Sequence, residues 1–309
     1  MLKYLIILFI ITTISCKKEG KVNAVKPERK VQVINFFAMD TPLSVKYISH
    51  KKDKILERKI IDFINNFDNE NSFYKANSYL GKLNNLESGE VLKIPHYFCD
   101  LLKISKEFLI KTEYKFNIAY KSPKEFRNFD NLKIDCKNNT IKMIKKGAIF
   151  DTGGIAKGLA IDKTGELLKK YGINNFMVNY GGDILICGQK SSGSWKTGIK
   201  DPIKQNTLLK IIDINNKACY SIATSGDYER YIVRDGKKLS HIINPKTGKS
   251  VEGAHSITII AKKAVVADTL ATAISVGYED NNYIKRMKNK FNLEIYLLTG
   301  KSLKLREIK

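Results

Sequence analysis

"FDTGGIAKGLAID", residues 150–162, sets Gly153 and Gly154 side by side, then Lys157 and Gly158, where a helical pattern begins. Glycine nucleates helices poorly because it gives up the most backbone freedom. Two readings fit. The structural one is a tight strand-to-helix turn with Asp151 as a helix cap. The chemical one is a helix start bared so that an anion reaches its free N–H groups, with the Lys157 charge on the same side and Asp151 available to a base, a ribose or a metal. The stretch is no Walker loop, because no Ser or Thr follows Lys157–Gly158. Nor is it G-x-G-x-x-G, because the glycines stand at 153, 154 and 158.

Working outward, Ile155, Leu159, Ile161, Leu167 and Leu168 continue the helix, and Gly172 is its C-cap. "NNFMVNYGGDILICG" then reads as strand, Gly181–Gly182 turn, strand. Upstream, 33–49 holds one or two strands interrupted at Asp40-Thr41-Pro42. Residues 53–67 place Ile55, Ile60, Ile61, Ile64 and Phe67 on one helical face, and 97–112 is a second amphipathic helix. Strands are expected near 132–136 and 140–146, with another ending at Asp151. Downstream come strand-like stretches at 195–202 and 208–214, three more strands within 218–251, one at 256–261, a helix over 263–278 and a strand at 294–300. The pattern predicts an α+β fold, largely antiparallel sheets with packed helices.

The whole chain has 309 residues, 43% hydrophobic, so it can bury a sizeable core. Lys and Arg total 54 against 31 for Asp and Glu, a net charge of +23. The excess is spread along the chain. No basic stripe is interleaved with aromatics, so no nucleic-acid partner is expected. The first 16 residues, "MLKYLIILFIITTISC", carry Lys3, an apolar run too short to span a bilayer, and Ser15 before Cys16. They resemble a bacterial lipoprotein signal with Cys16 as the lipidation site. Residues 17–32 read as a polar tether, and 33–309 as the working domain. Cys99, Cys136, Cys187 and Cys219 are scattered and make no C-x-x-C, so a metal cluster is not expected; buried free thiols are the default reading and disulfides, in an oxidising compartment, the alternative.

Three further segments gather chemistry. "SIATSGDYERY" (221–231) collects hydroxyls and Asp227 at a bend. "SHIINPKTG" (240–248) puts His241 and Ile242 on a strand running into Asn244–Pro245. His241 there is either structural or able to orient or deprotonate a hydroxyl. "AVVADTLATAI" (264–274) places Asp268 and Thr272 one turn apart on an otherwise apolar helix. Such a carboxylate is costly unless paired or metal-bound. Either it caps a neighbouring segment, or with the hydroxyl it gives hard oxygen ligation that suits Mg²⁺ better than zinc.

Together these segments resemble the bacterial FAD:protein FMN transferases, the ApbE family. The matching stretches are "MDTPLSV" (39–45), "SFYKANSYLGKLN" (72–84), "DTGGIAKGLAID" (151–162), "VNYGGDI" (178–184), "ATSGDYERY" (223–231), "SHIINPKTG" (240–248) and "ADTLATA" (267–273). The resemblance implies an ApbE-like (T-fold-like) architecture. It implies metal-dependent transfer of FMN from FAD to a Thr hydroxyl of an exported acceptor, with AMP released. Alternatives are an FAD pyrophosphatase and a non-catalytic FAD-binding lipoprotein. It further implies that Met39, Tyr74, Asn117, Asp151, Lys157, His241 and Ile242 meet FAD. Gly154, Asp268, Ala271 and Thr272 would hold one or two Mg²⁺ ions, and His241 or Asp227 would take the proton. Where the family usually has Asp, this chain has Asn117. The expected partner is a subunit of an exported or membrane redox complex. The expected location is outside the cytoplasmic membrane, held by the Cys16 lipid.

Overall fold

Eight strands line up in one fully antiparallel sheet, and three helices cover one of its faces. The computed structural model describes residues 29–308 except 191–192, 203, 205, 215–217, 228–230, 235–236 and 301–303, and it leaves the side chains of 231–234 and 237–239 undescribed. Cys16, the signal segment and most of the expected tether lie outside the described residues.

In chain order the elements are β1 (Lys30–Ala38), β2 (Thr41–Ser49), α1 (Lys54–Asn71), α2 (Tyr79–Asn84), β3 (Val91–Lys93), α3 (His96–Lys111), β4 (Leu132–Asp135), β5 (Thr140–Met143) and α4 (Ala156–Lys170). After them come β6 (Phe176–Tyr180), β7 (Asp183–Cys187), β8 (Trp195–Lys200), β9 (Leu208–Ile214), β10 (Cys219–Ser225), β11 (Tyr231–Arg234), β12 (Lys237–Ser240) and β13 (Ala254–Ala261). The chain closes with α5 (Ala264–Val276), α6 (Asn281–Phe291), β14 (Glu294–Thr299) and β15 (Arg306–Ile308). The main sheet runs β1-β2-β6-β7-β10-β13-β14-β15.

Residues 33–49 form a hairpin, and its break falls one residue earlier than expected. Met39 and Asp40 both have positive φ (53° and 56°), the geometry of a two-residue turn whose twist matches the strands. Thr41 and Pro42 belong to β2, where Pro42 faces Phe37. In α1 the buried positions are Leu56, Ile60, Ile64 and Phe67; Ile55, expected inside, is exposed. The Asp53 carboxylate accepts from the Ile55 and Leu56 N–H groups and sets this phase. No strand ends at Asp151, because residues 147–151 have no ladder partner. The face of α6 is carried by Tyr283, Ile284, Met287 and Phe291 among basic residues and asparagines, a helix that the sequence expectations above do not include.

Helices α1, α4 and α5 bury their apolar faces with the inner face of the sheet in one large core. The outer face carries a second apolar cluster, including Ile184, Ile186, Ile222 and Ile260, which Trp195, Ile199, Ile212 and Ile214 of the β8–β9 hairpin cover. The strands between these layers are buried on both faces, which explains runs such as "DILIC" without alternation.

The four described cysteines are paired, so the disulfide alternative holds over the default of free thiols. Cys187 and Cys219 face each other across β7 and β10 with Cα atoms 4.1 Å apart. Cys99 on α3 reaches Cys136, just past β4, at 5.6 Å between Cα atoms. Linear spacing hides both pairs, because the fold brings the partners together across 32 and 37 residues.

Candidate active site

The antiparallel register brings several motifs to one end of the sheet. The Met39–Asp40 turn lies beside the Gly181–Gly182 turn, because Leu43 pairs with Tyr180 and the Gly181 N–H donates to Pro42 O. A side chain on Gly181 would meet Thr41 Oγ1 at 2.2 Å, so the two turns touch. Asp183 at the start of β7 and Thr224–Ser225 at the end of β10 sit at the same end. The Met39 N–H donates to Asp68 of α1, which anchors the first turn.

The opening glycines serve helix packing and site building together. Helix α4 starts at Ala156, and Gly158 lies so close to the start of α5 that a Cβ would stand 2.6 Å from Ala264 O. The helices cap each other. Asp162 of α4 accepts from the Ala264 and Val265 N–H groups at 2.8 and 3.0 Å. Asp268 Oδ2 of α5 accepts from the Gly158 N–H at 2.8 Å. Burial pushes the Asp162 carboxyl upward, and the two N–H bonds oppose that shift. Asp268 is therefore the cap of a neighbouring segment, and the chemical reading is not excluded by it. By taking the Gly158 N–H it leaves the Gly154 carbonyl without the donor a helix would supply four residues on. Gly154 also packs on Thr272, whose Oγ1 would lie 3.2 Å from a Cβ there. Asp268 and Thr272, one turn apart on α5, thus face the start of α4, Asp268 at Gly158 and Thr272 at Gly154. Ala271 is in mid-helix and fully buried, and its carbonyl takes the Ser275 hydroxyl; it is the least available of the four expected ligands.

Lys157 lies in the first turn of α4, where a cation opposes the helix dipole. Its Nζ stands 2.7 Å from Asp183 Oδ2. Asp183 is 3% exposed, and its other oxygen accepts from the Thr224 N–H at 3.2 Å. Thr224 in turn shares a hydroxyl contact with Thr258. Sequence reasoning quoted Asp183 inside a motif and gave it no role. The available signal was a carboxylate opening an apolar strand that offers it no partner.

A second group surrounds Asp151. Its Oδ1 accepts from the Gly153 N–H at 3.0 Å. Its Oδ2 accepts from the Tyr120 hydroxyl at 3.0 Å and pairs with Lys121 Nζ at 2.9 Å. Burial, then the Asp151 carboxylate, raise the Tyr120 hydroxyl well above the usual phenol range, so it stays a donor. Lys121 also lies 3.8 Å from the centre of the Phe73 ring, and Phe73 meets Tyr74 edge-on. Tyr74 is 89% exposed, an uncovered aromatic face beside this group. Asn117 is spent on its own loop: Oδ1 accepts from the Ala119 N–H and Nδ2 donates to Arg127 O. The Arg127 guanidinium donates to Ser122 O and Pro245 O, tying that loop to the "SHIINPKTG" segment.

His241 lies in a bend just after β12, and not on a strand as expected; it is exposed and Ile242 beside it is buried. Asp227 Oδ2 is held by His255 Nδ1 at 2.8 Å, and His255 Nε2 faces Gly300 O at 3.1 Å. His255 was not singled out from sequence, since its partner is 28 residues away. Among the described residues no three His, Cys, Asp or Glu side chains form a metal-type cluster, and no helix is long and apolar enough to cross a membrane.

The fold is shared with the ApbE protein of Thermotoga maritima, with a TM-score of 0.80 and 25% identity over 91% of this chain and 97% of that one. It is shared also with the flavin transferase ApbE of Vibrio cholerae, with a TM-score of 0.76 and 24% identity over 91% and 97% of the two chains. The ApbE family model matches residues 39–296, and the chain belongs to that family. Relatives named FAD:protein FMN transferase include that of Vibrio cholerae, 33% identical over 169 residues, 54% of this chain and 50% of that protein. That of Escherichia coli is 34% identical over 153 residues, 48% of this chain and 42% of that protein. That of Buchnera aphidicola is 27% identical over 260 residues, 75% of each. The matches to the first two span half or less of those proteins' length.

Proposed function

We propose that this chain transfers the FMN portion of FAD to a threonine hydroxyl of an exported acceptor protein and releases AMP. The juxtaposition along the α4–α5 contact, with Asp268 on the Gly158 N–H and Thr272 against Gly154, carries the reading. Family membership and the relatives' activity support it.

A carboxylate, a hydroxyl and a carbonyl are hard oxygen donors, and their chemistry fits a divalent cation such as Mg²⁺. A cation held there would offset the negative charge of the phosphoryl oxygens. Lys157, paired with Asp183, is the residue we assign to the FAD pyrophosphate. Asp151 and Tyr74, with Met39 and Ile242, form the remaining contacts proposed for FAD, and Asn117 serves by holding its loop. The acceptor oxygen attacks the phosphorus attached to riboflavin, the bridging P–O bond breaks, and AMP carries away the bridging oxygen. The hydroxyl proton passes to His241. Asp227, already bonded to His255, is assigned to holding that neighbourhood in place.

For residues 1–32 the proposal is a lipoprotein signal with Cys16 lipidated and a short tether, leaving 33–309 as the transferase domain outside the membrane. The two disulfides favour an oxidising compartment. The deciding experiment incubates the protein with FAD and Mg²⁺, with and without an acceptor peptide containing threonine, and follows AMP. Release that requires the acceptor supports transfer. Release without it marks a pyrophosphatase, and FAD uptake with no AMP marks a carrier.

A further inference from the structure

We propose that Tyr120 and Lys121 are positioning residues that aim the Asp151 carboxylate at its ligand. The inference rests on the transferase reading for the identity of that ligand as FAD.

Asp151 follows a stretch without ladder partners and precedes two glycines, so its backbone alone does not hold the carboxylate at one angle. Three donors do. The Gly153 N–H takes Oδ1, and the Tyr120 hydroxyl and Lys121 ammonium take Oδ2. These donors come from two chain segments joined by the Asp151 N–H to Ile118 O bond at 2.7 Å. Lys121 is itself restrained, since its ammonium lies on the Phe73 ring face while it pairs with Asp151. The side chain of Asp151 is 18% exposed and that of Lys121 is 34% exposed, so the pair borders solvent at the exposed Tyr74. A carboxylate held this way keeps its open acceptor site on Oδ1, the oxygen that takes only the Gly153 N–H, and fixes its direction, which selects a ligand offering an N–H or O–H group there. The loop that supplies Tyr120 and Lys121 is anchored by Asn117, Ser122 and Arg127, so the donors do not drift.

The test measures FAD binding by calorimetry and steady-state kinetics on the intact protein, for Tyr120→Phe, Lys121→Met and Lys121→Arg. Each keeps the bulk of the side chain, and thermal unfolding confirms the fold. Tyr120→Phe and Lys121→Met should weaken FAD binding about three- to tenfold each, the range of a single hydrogen bond, with a smaller change in turnover at saturating FAD. Lys121→Arg should recover most of the loss. In an Asp151→Asn background, Tyr120→Phe should add little, because its effect runs through the carboxylate. Full additivity there, or unchanged FAD affinity in variants of a wild type that binds FAD, overturns the positioning role alone. A wild type that takes up no FAD overturns the transferase reading and this proposal with it.

Discussion

Asp268 caps the Gly158 N–H and is proposed to hold a cation, and substitutions separate the two roles. Asp268→Asn keeps an oxygen for the Gly158 N–H and removes the charge. It should leave thermal unfolding close to wild type and reduce AMP release at least tenfold, as measured with FAD and Mg²⁺. Asp268→Ala also orphans a buried N–H, and should cost about 1–3 kcal/mol of stability in denaturant titration. Lys157 was read from sequence as a charge aimed at phosphate, but its pairing with Asp183 could not be read there. The ion pair joins residues 26 positions apart that meet only through the sheet. Lys157→Ala leaves the buried Asp183 carboxylate without its cation, so it should destabilise the fold by about 3 kcal/mol besides weakening FAD binding. Lys157→Ala/Asp183→Asn should regain stability but not affinity, and the affinity loss should be smaller for riboflavin, which has no phosphate.

At the scale of elements, the α4–α5 pair was partly legible. Gly158, Asp162 and Asp268 were visible as motif residues, and helical spacing placed both helices. Their mutual capping was not visible, since each acceptor serves a helix more than 100 residues away in sequence. Gly158→Ala puts a methyl group against the α5 backbone and should cost about 1–3 kcal/mol, with loss of AMP release as Asp268 is displaced. A surface glycine such as Gly89, with open space around it, tests strain alone because of its positive φ. The strands of the main sheet apart from β15 were legible from β-forming runs between turn residues. The short strands β3 and β15 have too few residues to show a period, and α6 carries only four apolar positions among its 11 residues.

For the whole molecule, the antiparallel α+β class followed from frequent hairpins, whereas the strand order did not. Strands β2 and β6 are neighbours with four α-helices and three strands of chain between them. The disulfides belong to this scale as well. Cys187→Ser/Cys219→Ser opens a loop of 32 residues and should lower stability by about 3–4 kcal/mol in a chain-entropy view, read as a shift in the denaturant midpoint. Adding reductant to the wild type should move the midpoint in the same direction. The membrane proposal has its own check. Cys16→Ala should leave the protein unlipidated and recovered in the soluble fraction, and continued fractionation with membranes would reject it.

The reciprocal caps between α4 and α5 also bear on biogenesis. Gly158 and Asp162 leave the ribosome long before Ala264 and Asp268, and neither helix start is complete until the later one arrives. Contacts at such sequence distance form late and slow folding. A chain threaded unfolded through a membrane therefore carries no assembled site with it. If the export proposal holds, FAD has to be acquired after translocation, from a pool on the far side, and no flavin chemistry can begin on the nascent chain.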